Sequence, residues 1–145
     1  MSELSLHRVE TSPKSLNGLK DTRGDSIRRQ LANDHGIVVE NVRSIIGYLV
    51  KADLDDNQQQ QMVSDLFCDP IIEHWSINNQ LLNNYQIFYD KPDLVIQIGF
   101  KPGVTDNAAQ AGLDGLRTLF PIAGIDAMVS TTMTYTFHGL SEEVD

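Results

Sequence analysis

The chain reads as an α+β protein in which helices cover one face of an antiparallel sheet. Three patterns point there. Residues 125–137 alternate apolar and polar, as a long strand with one buried face does. Ala109, Leu113, Leu116 and Phe120 recur at i, i+4, i+7 and i+11, the stripe of an amphipathic helix. The order strand, loop, capped helix, long strand occurs twice, over 9–53 and again over 95–139.

Residues 4–10 carry Leu4, Leu6 and Val9 among polar neighbours and read as a strand; a loop with Ser, Pro, Asn and Gly follows over 11–20. Asp21 or Thr22 caps a first helix, with Ile27 and Leu31 on one face and His35-Gly36 at its end. Gly24 sits in its first turn. Residues 37–53 are rich in β-branched side chains, and the polar pair Glu40-Asn41 divides them into a short and a long strand. Asp55 and Asp56 cap a second helix over 56–68, with Met62, Val63, Leu66 and Phe67 on its apolar side and Asp69-Pro70 stopping it. Ile71, Ile72 and Trp75 read as a docking tail, 76–84 as an Asn-rich linker, and 85–89 as a short strand. Residues 94–100 alternate, with Leu94, Ile96, Ile98 and Phe100 on one face. Lys101-Pro102-Gly103 turns the chain, and Asp106 caps the third helix, which Pro121 ends. The last strand presents Tyr135 and Phe137 to the core and Thr132, Thr134, Thr136 and His138 to its polar face.

Composition narrows the function. Twenty acidic against 11 basic residues give a formal net charge of −9 over 145 residues. That balance disfavours nucleic acid and anionic membrane surfaces, which need surplus Lys and Arg. Cys68 is the single cysteine, so neither an internal disulfide nor a cysteine metal site is expected. No apolar stretch follows Met1 and no run is long enough to span a bilayer, so a soluble, cytoplasmic protein is expected.

The repeat sets the expected organisation. Residues 4–75 form a first unit, 76–93 a linker, and 94–145 a second unit. After the first long strand comes Leu54-Asp55-Asp56; after the second comes Leu140-Ser141-Glu142-Glu143. Both are helix starts, but no helix follows the second, so the chain is expected to be a piece of a longer polypeptide. The unfinished unit leaves sheet edges or apolar surface open to pairing with another copy.

Candidate chemistry is thin. The loop 101–106 runs into a helix start, where free N–H groups can hold an anion. The plainer reading is a turn plus a cap, with Gly103 for backbone freedom and Asp106 filling the anion position. Cys68 is flanked by Asp65 and Asp69, which disfavour the thiolate that a nucleophile needs. His7, His35, His74 and His138 lack metal-ligand spacing, and Asp53, Asp55 and Asp56 lack the pattern of a calcium loop. No catalytic, cofactor-binding or metal-binding residue is therefore assigned. Asp21, Gly24, Lys101, Gly103 and Asp106 stand as candidates for turn, cap or interface roles.

Residues 100–107, Phe-Lys-Pro-Gly-Val-Thr-Asp-Asn, resemble the signature of the PurS-like domain of phosphoribosylformylglycinamidine (FGAM) synthase. His7-Arg8-Val9-Glu10 resembles the opening of the form in which that domain is fused to the enzyme, Asp21-Thr22-Arg23-Gly24 its helix entry, and Asp69-Pro70-Ile71-Ile72 the close of its first copy. The likeness covers about 7–143 and departs in copy one, which lacks Lys-Pro-Gly-Val. It implies two tandem PurS-like repeats forming an intramolecular pseudo-dimer, the second lacking its last helix. It implies a non-catalytic adaptor that docks the synthetase and glutaminase domains and shelters ammonia transfer. ATP and magnesium would belong to the parent enzyme and not to this chain. The competing reading is a free-standing module that senses a metabolite.

Overall fold

The computed structural model describes residues 4–14, 20–81, 91–100 and 105–140. Its elements are β1 (Ser5–Pro13), α1 (Thr22–His35), β2 (Val39–Ala52), α2 (Asp56–Met62), a π-helical turn (Val63–Phe67), β3 (Glu73–Ile77), β4 (Leu94–Gly99), α3 (Asn107–Leu119) and β5 (Met128–Leu140). The strands form one antiparallel sheet in the order β3-β1-β2-β5-β4. The architecture is α+β, as the patterning predicts.

The long strands β2 and β5 pair at the centre, with Ile46 opposite Met133, Ser44 opposite Tyr135 and Tyr48 opposite Thr131. Val9, Tyr48, Val50, Thr131 and Val129 share one side of the sheet by this register. There α2, the π turn and α3 bury Val9, Val50, Met62, Val63, Phe67 and Leu116 in the main core. A smaller core joins Ile27 and Leu31 of α1 to Val42 and Phe137.

Local signals explain the helices. Gly36 ends α1 at φ +66°, a left-handed cap open to glycine. Asp55 and Gln58 close a capping box on α2, each side chain accepting from the other's backbone N–H at 2.8 and 3.0 Å. The single helix expected over 56–68 is not uniform: its last turn widens, and Cys68 N–H donates to Val63 at 2.9 Å. Phe67 in this turn stacks on Tyr48, with ring centroids 4.3 Å apart.

Other expectations need correction. Glu40-Asn41 do not divide 37–53: Asn41 still pairs with His138 and Val39 with Leu140, so the ladder continues through them. Residues 73–77, expected as tail and linker, form β3 on the outer edge of β1. Five residues carry too little pattern to announce a strand, and β1 supplies the hydrogen bonds. Ile125 is not in the last strand. The chain turns over 121–126, Arg117 Nε donates to Gly124 O at 2.9 Å, and Ile122 and Ile125 stay exposed. The polar face of β5 is solvated only in part: Ser130 is exposed, but Thr134, Thr136 and His138 are buried. On that side Leu81, itself buried, donates its N–H to Glu10 at 2.8 Å. The strand expected over 85–89 lies outside the described residues.

Gly24 sits where α1 meets β2. A Cβ there would lie 2.0 Å from the carbonyl oxygen of Val42, which is backbone and cannot rotate away. Gly99, on β4, has open space around its missing Cβ. Gly24→Ala should therefore lower stability by about 2–3 kcal/mol, while Gly99→Ala leaves it within about 0.5 kcal/mol. Urea unfolding of the two variants beside the parent chain checks this contrast.

Candidate functional site

Two aspartates, each at a helix start, tie a helix to a central strand. Asp21 caps α1: Oδ1 accepts from Gly24 N–H at 2.9 Å. Its Oδ2 accepts the backbone N–H of Ser44 at 2.5 Å, and the Ser44 hydroxyl donates to Oδ1 at 2.7 Å. Asp106 does the same for α3. Its Oδ1 accepts from Ala109 N–H at 2.9 Å, and its Oδ2 accepts from Thr131 N–H at 3.0 Å. The Thr131 hydroxyl lies 2.9 and 2.8 Å from the two carboxylate oxygens. Each carboxylate thus satisfies a helix N-terminus and a central strand together. Asp21 has a cation beside it: Arg43 Nε lies 3.9 Å from its Oδ2, and Arg43 Nη2 donates to Pro13 O at 2.6 Å.

Of the five candidate residues, Asp21 and Asp106 are helix N-caps, and Gly24, in the first turn of α1, donates its N–H to Asp21; Lys101 and Gly103 lie outside the described residues. Both carboxylates already occupy the place an incoming anion would take. The serine and threonine partners were not picked out from the sequence. Ser44 carries a usable signal: it is a hydroxyl on the same side of the strand as Val42, Ile46, Tyr48 and Val50, and it is fully buried. Thr131 lies hidden in a threonine-rich strand, where β propensity explains it equally well.

The remaining reactive side chains sit in structural roles. Cys68 is buried, and burial together with Glu73 and Asp69 pushes its thiol up to about 11. It stays protonated at neutral pH and is a poor nucleophile. His7 Nε2 faces the carbonyl of Ala52 at 3.3 Å, and His138 Nε2 faces Thr136 Oγ1 at 2.9 Å. Burial, Lys14 and Arg43 lower the pKa of His74. Among the described residues no cluster of three or more His, Cys, Asp or Glu could hold a metal ion. None of the helices described is long and apolar enough to cross a membrane.

An apolar cavity of about 250 Å³ opens beside Thr131, lined also by Ile46, Tyr48, Ile98, Phe100 and Met133. Such a lining suits an apolar side chain or ring and offers little to a phosphate or carboxylate. No protein-family model matches the chain, and no curated protein or solved structure matches it either.

Asp21→Ala removes a cap and strands the buried amide of Ser44, which should cost about 3 kcal/mol. Asp106→Ala, at a partly exposed site, should cost about 2 kcal/mol. Thermal and urea unfolding measure both. Cys68 gives a pH signature. Its folded pKa lies above the unfolded value, so its contribution to stability is complete below about pH 8.5. That contribution falls as pH rises toward about 11. Chemical unfolding between pH 8 and 11 should show the fall in the parent chain and less of it in Cys68→Ala.

Proposed function

We propose that this chain is a duplicated PurS-like module of an FGAM synthase. In that reading it is a cytoplasmic, non-catalytic adaptor that holds the synthetase and glutaminase parts together and shelters ammonia passing between them. The observation that carries the proposal is a single sequence offset that relates the two halves of the sheet. It takes Ser44 to Thr131, Ile46 to Met133 and Tyr48 to Tyr135 on the central strands. The same offset takes Val9 to Ile96 and Thr11 to Ile98 on the flanking strands, with their pairings preserved. The two capping aspartates bond to Ser44 and Thr131, which this offset interchanges. An internal two-fold relation of this kind supports a tandem repeat folded as a pseudo-dimer. The motifs around 100–107 and 69–72 point from such a repeat toward the PurS-like family.

An adaptor works through surface and not through a reacting group. The Cys68 thiol, held protonated and buried, fits that role better than glutamine hydrolysis, which needs an activated nucleophile. ATP, magnesium and the glutaminase nucleophile belong to the other parts of the enzyme in this reading.

The test mixes the purified chain with the synthetase and glutaminase portions of an FGAM synthase from which the PurS-like region has been deleted. The chain should co-elute with them and restore glutamine-dependent amidine formation. Alone it should neither hydrolyse ATP nor release ammonia from glutamine. Amidine formation by the chain alone, or no association with either portion, would sink the reading. A rise of several degrees in melting temperature with an amino acid or nucleotide, without association, would favour the metabolite-sensing module.

A further inference from the structure

Strand β4 is the least covered part of the sheet. Leu94, Val95, Ile96 and Ile98 are 45, 40, 42 and 54 % exposed. Their counterparts across the sheet are not: Val9, which corresponds to Ile96, is 0 % exposed, and Thr11, which corresponds to Ile98, is 1 % exposed. The difference lies in what each strand has beside it. β1 carries β3 on its outer edge, whereas β4 has no strand beyond it among the described residues. An open edge presents a row of backbone donors and acceptors and accepts a further strand. Protected edges carry charges or proline, and β4 reads Leu-Val-Ile-Gln-Ile-Gly with neither.

We propose that β4 pairs antiparallel with β4 of a second copy of this chain, about a two-fold axis at Gln97. The strand is self-complementary in that register. Ile96 faces Ile98 of the second copy, and Leu94 faces its Phe100, so the helix side of the seam is wholly apolar. Val95 faces Gly99 of the second copy, and the two Gln97 amides meet on the other side. A two-fold axis normal to the sheet keeps both helix layers on one side, and two five-stranded sheets become one of ten strands. Two copies of formal charge −9 repel, but the seam itself holds no ionisable group. Salt screens the distant charges and strengthens the pairing. This pairing rests on the β4 edge alone and stands apart from the adaptor reading.

Sedimentation velocity on the chain over a concentration series, at low and high salt, tests it. The mass should rise from 16.2 kDa toward twice that value, and further at high salt. Amide exchange of 94–99 should slow as concentration rises. Ile98→Lys and Gln97→Lys each set like charges across the axis and should raise the dissociation constant at least ~10-fold, with circular dichroism confirming the fold. Should Ile98→Lys unfold, Gln97→Lys, on the face away from the helices, carries the comparison. A chain that stays at 16.2 kDa throughout overturns the proposal. So does a dimer that persists unchanged in folded Gln97→Lys.

Discussion

The ladder between β2 and β5 is the constraint on which the rest of the molecule is built. With Ile46 opposite Met133, Ser44 and Thr131 fall two residues before that pair on their respective strands. Each presents a backbone N–H and a hydroxyl to an aspartate, and each aspartate begins a helix. A slip of one residue in the register would turn Ile46, Tyr48 and Val50 away from the helices and detach both caps together.

Burying a carboxylate is costly unless its oxygens are well bonded. Asp21 meets that condition with three hydrogen bonds and a guanidinium close by. Its geometry also depends on a glycine: α1 passes so near β2 that no side chain fits at position 24. Cap, close approach and strand therefore act as one unit, and additivity should fail among changes at Asp21, Gly24 and Ser44. Asp106 anchors α3 in the same way but lies partly exposed, so its bonds compete more with water.

The two sides of the central ladder differ in what covers them. On one, α2, the π turn and β3 enclose β1 and bury Val9 and Thr11. On the other, β4 keeps exposed apolar residues beside a cavity that reaches Tyr48 and Met133. The side chains Cys68, His7 and His138, by contrast, are buried inside the fold.

Much of the architecture was legible because the periodic signals were long. Helix α3 followed from four apolar residues at helical spacing, and the limits of α1 from Asp21 and Gly36, whose chemistry acts over one turn. Both aspartate caps were legible for the same reason. β3 was not, because a five-residue strand takes its hydrogen bonds from β1 and not from its own pattern. Nor was the burial of Thr134, Thr136 and His138, which alternation assigns to water. The second grip of each aspartate was also out of reach: Ser44 and Thr131 lie 23 and 25 residues further along the chain. By itself the sequence determined the class of fold, the helix starts and the long strands, since these depend on neighbours within a turn or along a strand. Only the tertiary structure decided the register, the double role of each carboxylate and the bareness of β4, because those depend on which distant segments meet.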